Sequence, residues 1–286
     1  MIDLALAALA SLVASGPPDT VNVNQLPPPS FSDQFQTPIC DDQIDKCPGR
    51  HWRPVLGSGG PTSASNRDGG RDTTYVDPTF PGVSNGALGG KPLGLNPFSL
   101  KPGNLTITAT PAPPELRPLL FNKTWMSGLL ESKFLYTYTY GYIDVVADLP
   151  VCTHGTWPAI WTTTLTGWPK GGEIDFPEDI GTGAHWFSII TPANKAKSGD
   201  HSVFKPPEGC ARGWHHYGAL KTPTTVALYY DGHKVGQFPA TPDMNVPHQI
   251  ILNLAVGGGW ATNASGKPDL APVTASFASV KVWELK

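Results

Sequence analysis

Residues 168–181 read WPKGGEIDFPEDIG. Strand alternation puts Glu173 and Asp175 on one face, whereas Glu178 falls on the other. An unpaired carboxylate in a core carries a heavy desolvation cost, so a regular strand with acids on both faces is unfavourable. A β-bulge removes the conflict, because one extra residue re-aims every side chain after it. Pro177 sits where that bulge is needed, and proline within sheets is largely confined to edges and bulges. The stretch therefore predicts a bulged strand that turns Glu173, Asp175 and Glu178 toward one cleft.

Three close carboxylates cannot all ionise freely, so at least one keeps its proton to higher pH. That split serves glycoside hydrolysis. An ionised carboxylate attacks the anomeric carbon, and a protonated one donates to the leaving oxygen. Strand neighbours at this spacing can hold carboxyls about 5–5.5 Å apart, the separation found in retaining enzymes. Glu173 is assigned as nucleophile and Glu178 as acid/base, with Asp175 between them hydrogen-bonding the nucleophile. The competing readings are a calcium site and a solvated acidic edge. Calcium loops intersperse their acids with Gly and Asn, whereas Trp, Ile, Phe and Pro flank these.

Outward from this segment, strand-like stretches recur at 105–109, 128–134, 140–149, 159–165, 186–191, 215–220, 225–230, 249–255 and 276–285. Asp231-Gly232 between two of them is a strong hairpin signal. Glycine and proline number 31 each, which leaves little room for long helices. The expected fold class is all-β, a sandwich of many short strands. Residues 53–103 are irregular, yet Tyr75, Phe80, Leu93, Leu95 and Phe98 punctuate them. Such apolar residues pin a long loop to the core, where it can wall a cleft.

Sugar rings have apolar faces that pack on aromatic planes. Trp157, Trp161 and Trp168 cluster just upstream of the acids, and Trp260 follows three glycines. These four are the candidate substrate-binding tryptophans, while Trp52, Trp125 and Trp283 read as core. His185 is a further substrate-binding candidate, against the blander reading of a structural hydrogen-bond partner.

Net charge is −3 with scattered Lys and Arg, which argues against a nucleic-acid partner and against a polybasic membrane patch. The apolar run 4–14 is too short to span a bilayer. Residues 1–16 read instead as a signal-peptide remnant, with Asp3 where a basic residue is expected. Residues 17–30 read as a Pro-rich linker, and 31–286 as a single catalytic domain. Cys40, Cys47, Cys152 and Cys210 fit disulfides of a secreted chain, with 40–47 and 152–210 the favoured pairing. Their spacing does not suit a metal. Asn104, Asn122 and Asn263 head glycosylation triplets compatible with secretion. No cofactor is expected, and the chain is expected to act as a monomer on a polysaccharide.

GEIDFPEDIG resembles the E-[ILV]-D-x-x-E signature of glycoside hydrolase family 16, the group of laminarinases, lichenases and related endo-glycanases. YGYIDVVADLP, GTWPAIWTT, WHHYGALKTPTTVALYYDGHKV, PHQIILNLAVGGGW and SVKVWELK resemble the family's flanking strands, in order. The likeness thus covers about residues 31–286. It implies a concanavalin-like β-jelly roll of two curved antiparallel sheets, with the cleft on the concave face. It also implies retaining hydrolysis of β-linked glucans or galactans through Glu173 and Glu178. YVDP…GLNPFSLKPGNLTITA is similar to members that cut bacterial exopolysaccharides such as succinoglycan. Tyr142 and Val146 replace arginines common in the family, and Ile190 stands where a groove histidine is expected, leaving His185 to substitute for it. Ala278 replaces an aspartate that helps hold calcium, so structural calcium is not favoured. The alternatives on this fold are a non-catalytic carbohydrate-binding protein and a transglycosylase.

Overall fold

The computed structural model describes residues 16–37, 39, 49–57, 72–83, 91–151, 155–165, 167–257, 261 and 272–285. Its strands in chain order begin with β1 (Phe31–Asp33), β2 (Thr73–Tyr75), β3 (Phe98–Lys101) and β4 (Asn104–Pro111). Next come β5 (Trp125–Ser127), β6 (Leu129–Glu131), β7 (Gly141–Asp148) and β8 (Thr156–Thr164). The acidic segment forms β9 (Glu173–Glu178), followed by β10 (His185–Ile190), β11 (Asp200–Phe204) and β12 (His215–Lys221). The last four are β13 (Thr225–Tyr230), β14 (His233–Pro239), β15 (His248–Val256) and β16 (Val273–Glu284).

These strands make two sheets packed face to face. One has six strands in the order β11-β10-β9-β8-β15-β6. The other has ten, running β14-β13-β12-β7-β16-β4-β5-β2, with β1 on β16 and β3 on β4. The alternation read from the sequence decides which side chains go between them. Ile174 and Phe176 of β9, Ile250, Leu252 and Leu254 of β15, and Ile143, Val145 and Ala147 of β7 join one buried core. Burying a side chain of this size contributes roughly 1.5–3 kcal/mol. β15 is buried along its whole length, because Ile251 and Ala255 on its other face lie beneath Tyr75, Leu56, Trp157 and Trp161. Of the stretch 53–103, Leu56 and Tyr75 thus wall the cleft face. Phe80 is buried in a separate cluster that Leu93 and Leu95 join.

The hairpin expected at Asp231-Gly232 joins β13 to β14 in antiparallel register, with both turn residues at positive φ. Residues 17–30 correct their reading as a linker. Val21 N–H donates to the Gly232 carbonyl and Lys234 N–H to that of Asp19. Tyr229 Oη donates to Pro18 O, and Trp283 Nε1 to Pro27 O. Val21 packs with Tyr142, Tyr229 and Trp283, covering the outer face of the large sheet. Few apolar residues suffice because the sheet supplies the rest of the cluster. A Cβ on Gly232 would collide with the Val21 carbonyl, so this turn accepts the strap only as glycine.

Cys210 is disulfide-bonded. Cys40, Cys47 and Cys152 lie outside the described residues, and the favoured pairing with them. Among the described residues no helix is long and apolar enough to cross a membrane.

Candidate active site

β9 lies inside the small sheet, between β8 and β10. Glu173 pairs with Thr163 and Ile190, Asp175 with Trp161 and Ser188, and Glu178 with Ala159 and Trp186. Between the last two pairings β9 advances from 175 to 178, whereas β8 advances only from 161 to 159. The extra residue is the bulge that the carboxylate pattern requires, and the Phe176–Pro177 peptide within it is cis. Ile174 and Phe176 go to the core. Glu173, Asp175 and Glu178 line one pocket with Trp157, Ala159, Trp161, Asn253 and Leu129, its rim closed by Leu56 and Tyr75. The pocket has a volume of about 220 Å³.

The turn into β9 is held from several sides. Gly171 N–H donates to Asp243 Oδ2 at 3.1 Å, and the Gly171 carbonyl accepts from His248 Nε2 at 2.7 Å. Thr163 Oγ1 donates to the Gly172 carbonyl at 3.0 Å. Gly171 has φ +90°, and a Cβ there would lie 2.7 Å from Thr164 Cβ, so the turn needs glycine. His248 donates from Nε2 because the Gly171 carbonyl can only accept, while burial, and then the Lys221 charge, depress its pKa to about 3 and keep the ring neutral. The turn presents Trp168, which is 47% exposed with Lys195 Nζ 4.6 Å from the ring centroid.

Burial dominates the electrostatics of the acids. It raises Glu173 to about 7, against the hydrogen bonds of Trp168 and Asp175, which lower it. Burial, then the charge of Glu173, raises Glu178 to about 8, while the Trp157 hydrogen bond pulls it down. Trp157 Nε1 donates to Glu178 Oε1 at 2.8 Å. Asp175 is pushed well above the carboxylate range by burial and then by Glu173 and Glu178. Ser188 offsets this in part, although neither its hydroxyl nor Asp175 Oδ2 closes a hydrogen bond of good geometry. Among the described residues no cation pairs with any of the three. The arrangement can hold one carboxylate ionised beside another that is protonated near neutral pH, the division that acid-assisted displacement at an anomeric carbon requires.

Trp157 and Trp161 both line the cleft, and Trp161 Nε1 donates to Asn253 Oδ1 at 2.7 Å. Trp260 lies outside the described residues. His185 is a correction. It is 3% exposed, points between the sheets, and hydrogen-bonds Asp179 through Nδ1 at 2.8 Å. Its ring packs against Tyr217 and Tyr230 of the opposite sheet. The reason is register. Trp186 pairs with Glu178, so its neighbour His185 takes the core side. Asn253 was missed, although a lone amide in the apolar run IILNLAV was a readable signal. Leu56 and Ala159 carried none.

The sequence profile of glycosyl hydrolases family 16 matches residues 99–275. Among characterised relatives, endo-1,3-1,4-beta-glycanase ExsH of Rhizobium meliloti is 30% identical over 76% of this chain and 43% of its own length. EglC of the same organism, also an endo-1,3-1,4-beta-glycanase, is 29% identical over 80% of this chain and 46% of its own. The chain therefore spans less than half the length of these relatives. Among solved structures, the non-specific endo-beta-1,3(4)-glucanase SCLam superposes with a TM-score of 0.69 at 24% identity, covering 89% of both chains. The laminarinase of Rhodothermus marinus gives 0.65 at 21% identity, covering 90% of this chain and 97% of that one. With the bulged acid strand, the two-sheet jelly roll and a profile match across more than half its length, the chain belongs to glycosyl hydrolases family 16.

Proposed function

We propose that the chain is a retaining endo-glycanase that cuts internal bonds of a β-1,3/1,4-linked polysaccharide. The observation that carries the proposal is the bulge, which gathers Glu173, Asp175 and Glu178 on the floor of an open cleft. In the first step a Glu173 oxygen attacks the anomeric carbon as Glu178 gives its proton to the departing glycosidic oxygen. A glycosyl ester to Glu173 results. Water then loses a proton to Glu178 and attacks the same carbon, releasing Glu173 and restoring the starting configuration. Asp175 keeps Glu173 oriented and shares the site's charge.

The names of the two Rhizobium meliloti relatives support the linkage class. The disulfide at Cys210 supports secretion, since such bonds persist in oxidising compartments.

Reducing-sugar release from laminarin, mixed-linkage β-glucan, succinoglycan, agarose and carrageenan tests the reading, with Glu173→Gln run in parallel. Release from a β-1,3- or mixed-linked polymer that disappears in the variant is the expected result. Binding without release by the wild type would favour a carbohydrate-binding protein instead.

A further inference from the structure

Phe134 is the most exposed large apolar side chain among the described residues, at 58%, and it is held in an unfavourable backbone conformation. Its φ of 66° is in the left-handed region, which bulky aromatic residues rarely adopt. Such strain persists only when the surroundings enforce it, and it clusters at ligand clamps. The enforcement is visible. Leu135 and Tyr136 N–H groups both donate to the Ser132 carbonyl, and Ser132 Oγ donates to the Tyr136 carbonyl, closing a tight turn around Phe134. Lys133 Nζ lies 5.3 Å from the ring centroid and Arg53 Cζ 5.4 Å from it. Neither cation is loose. Arg53 is paired with Glu131 at 2.6 Å, and Lys133 donates to the Leu165 carbonyl at 2.8 Å. The ring is therefore flanked by two fixed cations while more than half of the residue faces solvent.

Its position relates to the cleft. Phe134 follows the end of β6, and Trp168 follows the end of β8. Both strands pair antiparallel with β15, so these ends share one edge of the small sheet, where β9 begins at Glu173. The Lys133–Leu165 hydrogen bond ties the two ends together. From β9 to β6 is three strand spacings, about 14 Å, roughly three pyranose rings of an extended chain. Arg53, 5.4 Å from the Phe134 ring centroid, also donates to the Gly57 carbonyl, next to the cleft-lining Leu56. Trp168, by contrast, is the exposed ring beside the reacting centre and is likewise backed by a cation.

We infer that Phe134 is a distal sugar-stacking platform, binding a pyranose ring of the polysaccharide where the chain leaves the cleft over β6. This rests on the proposed glycanase reading and extends it, since it makes chain length a determinant of turnover. An aromatic face costs little entropy to present when its turn is already locked, and a planar anchor suits the apolar face of a pyranose.

The test compares wild type, Phe134→Ala and Phe134→Trp on short and long oligosaccharides prepared from the polymer that the wild type cleaves. Phe134→Ala should lose about three- to tenfold in kcat/KM on polymer and long oligosaccharides, with short ones unchanged. Phe134→Trp should restore or exceed wild-type values on the long ones. An equal loss at every length, or no loss at any, overturns the inference. Titration calorimetry of the same ladder into Glu173→Gln, with and without Phe134→Ala, reads the contact without turnover. If the wild type cleaves yet affinity stays independent of Phe134, only the platform falls. If the ladder is neither cleaved nor bound, the glycanase reading falls with it.

Discussion

Glu131 and Asp175 stand at two points of one row across the small sheet. Glu131 pairs with Ile251, Ile251 with Trp161, and Trp161 with Asp175. Both carboxylates are buried, at 0% and 2% exposure, yet they are compensated in opposite ways. Glu131 accepts from Arg53 Nη1 at 2.6 Å and from the Gly57 amide at 3.0 Å. It is a structural clamp that pins the 53–57 segment over the cleft. Asp175 has Glu173 and Glu178 as its charged neighbours; burial raises all three, and the charge of a neighbouring acid adds to it for Asp175 and Glu178. A buried acid beside a cation fixes structure, whereas a buried acid among acids stores protons for chemistry. Asp179, one residue past Glu178, is held by a partner on the core side, His185, whose Nδ1 lies 2.8 Å from Oδ1.

The difference is broken most directly by neutralising one member of each set. Glu173→Gln or Glu178→Gln should lower kcat by about a thousandfold or more, measured by reducing-sugar release, while folding is retained. The stability effect has a definite sign. These carboxyls titrate at about 7 and about 8 when folded, above their ordinary value of 4.5. Between 4.5 and 8 the native state therefore binds more protons than the unfolded state, so stability falls as pH rises. The Gln variants should melt higher than wild type at pH 8, and the advantage should vanish toward pH 4. A Gln variant that melts lower at pH 8 would contradict the proton-store description.

Glu131→Gln should do the reverse. It strands the Arg53 guanidinium in a buried site and should cost about 3–5 kcal/mol at neutral pH by denaturant unfolding. An unchanged midpoint would show that the clamp contributes nothing. His185→Phe removes the partner of buried Asp179 and should cost about 1–3 kcal/mol. Since the ring faces the core rather than the cleft, KM should stay within about twofold of wild type, in contrast to a groove residue.

The finest effect concerns the two tryptophans that hydrogen-bond the acids. Glu173 must be ionised to attack, so it sets the acidic limb of the rate profile, and Glu178 must be protonated, so it sets the alkaline limb. Trp168→Phe removes a bond that lowers Glu173 and should move the acidic limb upward. Trp157→Phe removes the bond that lowers Glu178 and should move the alkaline limb upward. Profiles of kcat/KM against pH for the two variants check this. Movement of both limbs in both variants would mean that the trio titrates as one unit.

Much of this was legible before any coordinates. The alternation of YGYIDVVADL, the Asp-Gly hairpin and the clash between carboxylate spacing and strand period are local properties of the chain. A period-two pattern reports its own faces, and Pro177 marked the bulge that reconciles them. Trp157 and Trp161 were legible for the same reason, lying on the strand next to the acids. What lay beyond local reading depends on partners distant in sequence. His185 resembled a groove residue until the register with Glu178 turned it inward, and residues 17–30 resembled a linker until the bare outer face around Tyr142 and Tyr229 supplied its apolar partners. Phe134 gave no signal among the many aromatics of KFLYTYTY, because its exposure follows from a locked turn and from Arg53, far off in the chain. The sequence by itself determined the strands, the bulge and the identity of the acids, since those follow from spacing along one segment. Tertiary structure alone decided which acid meets a cation, because the Glu131–Arg53 pair depends on distances between segments far apart in the chain.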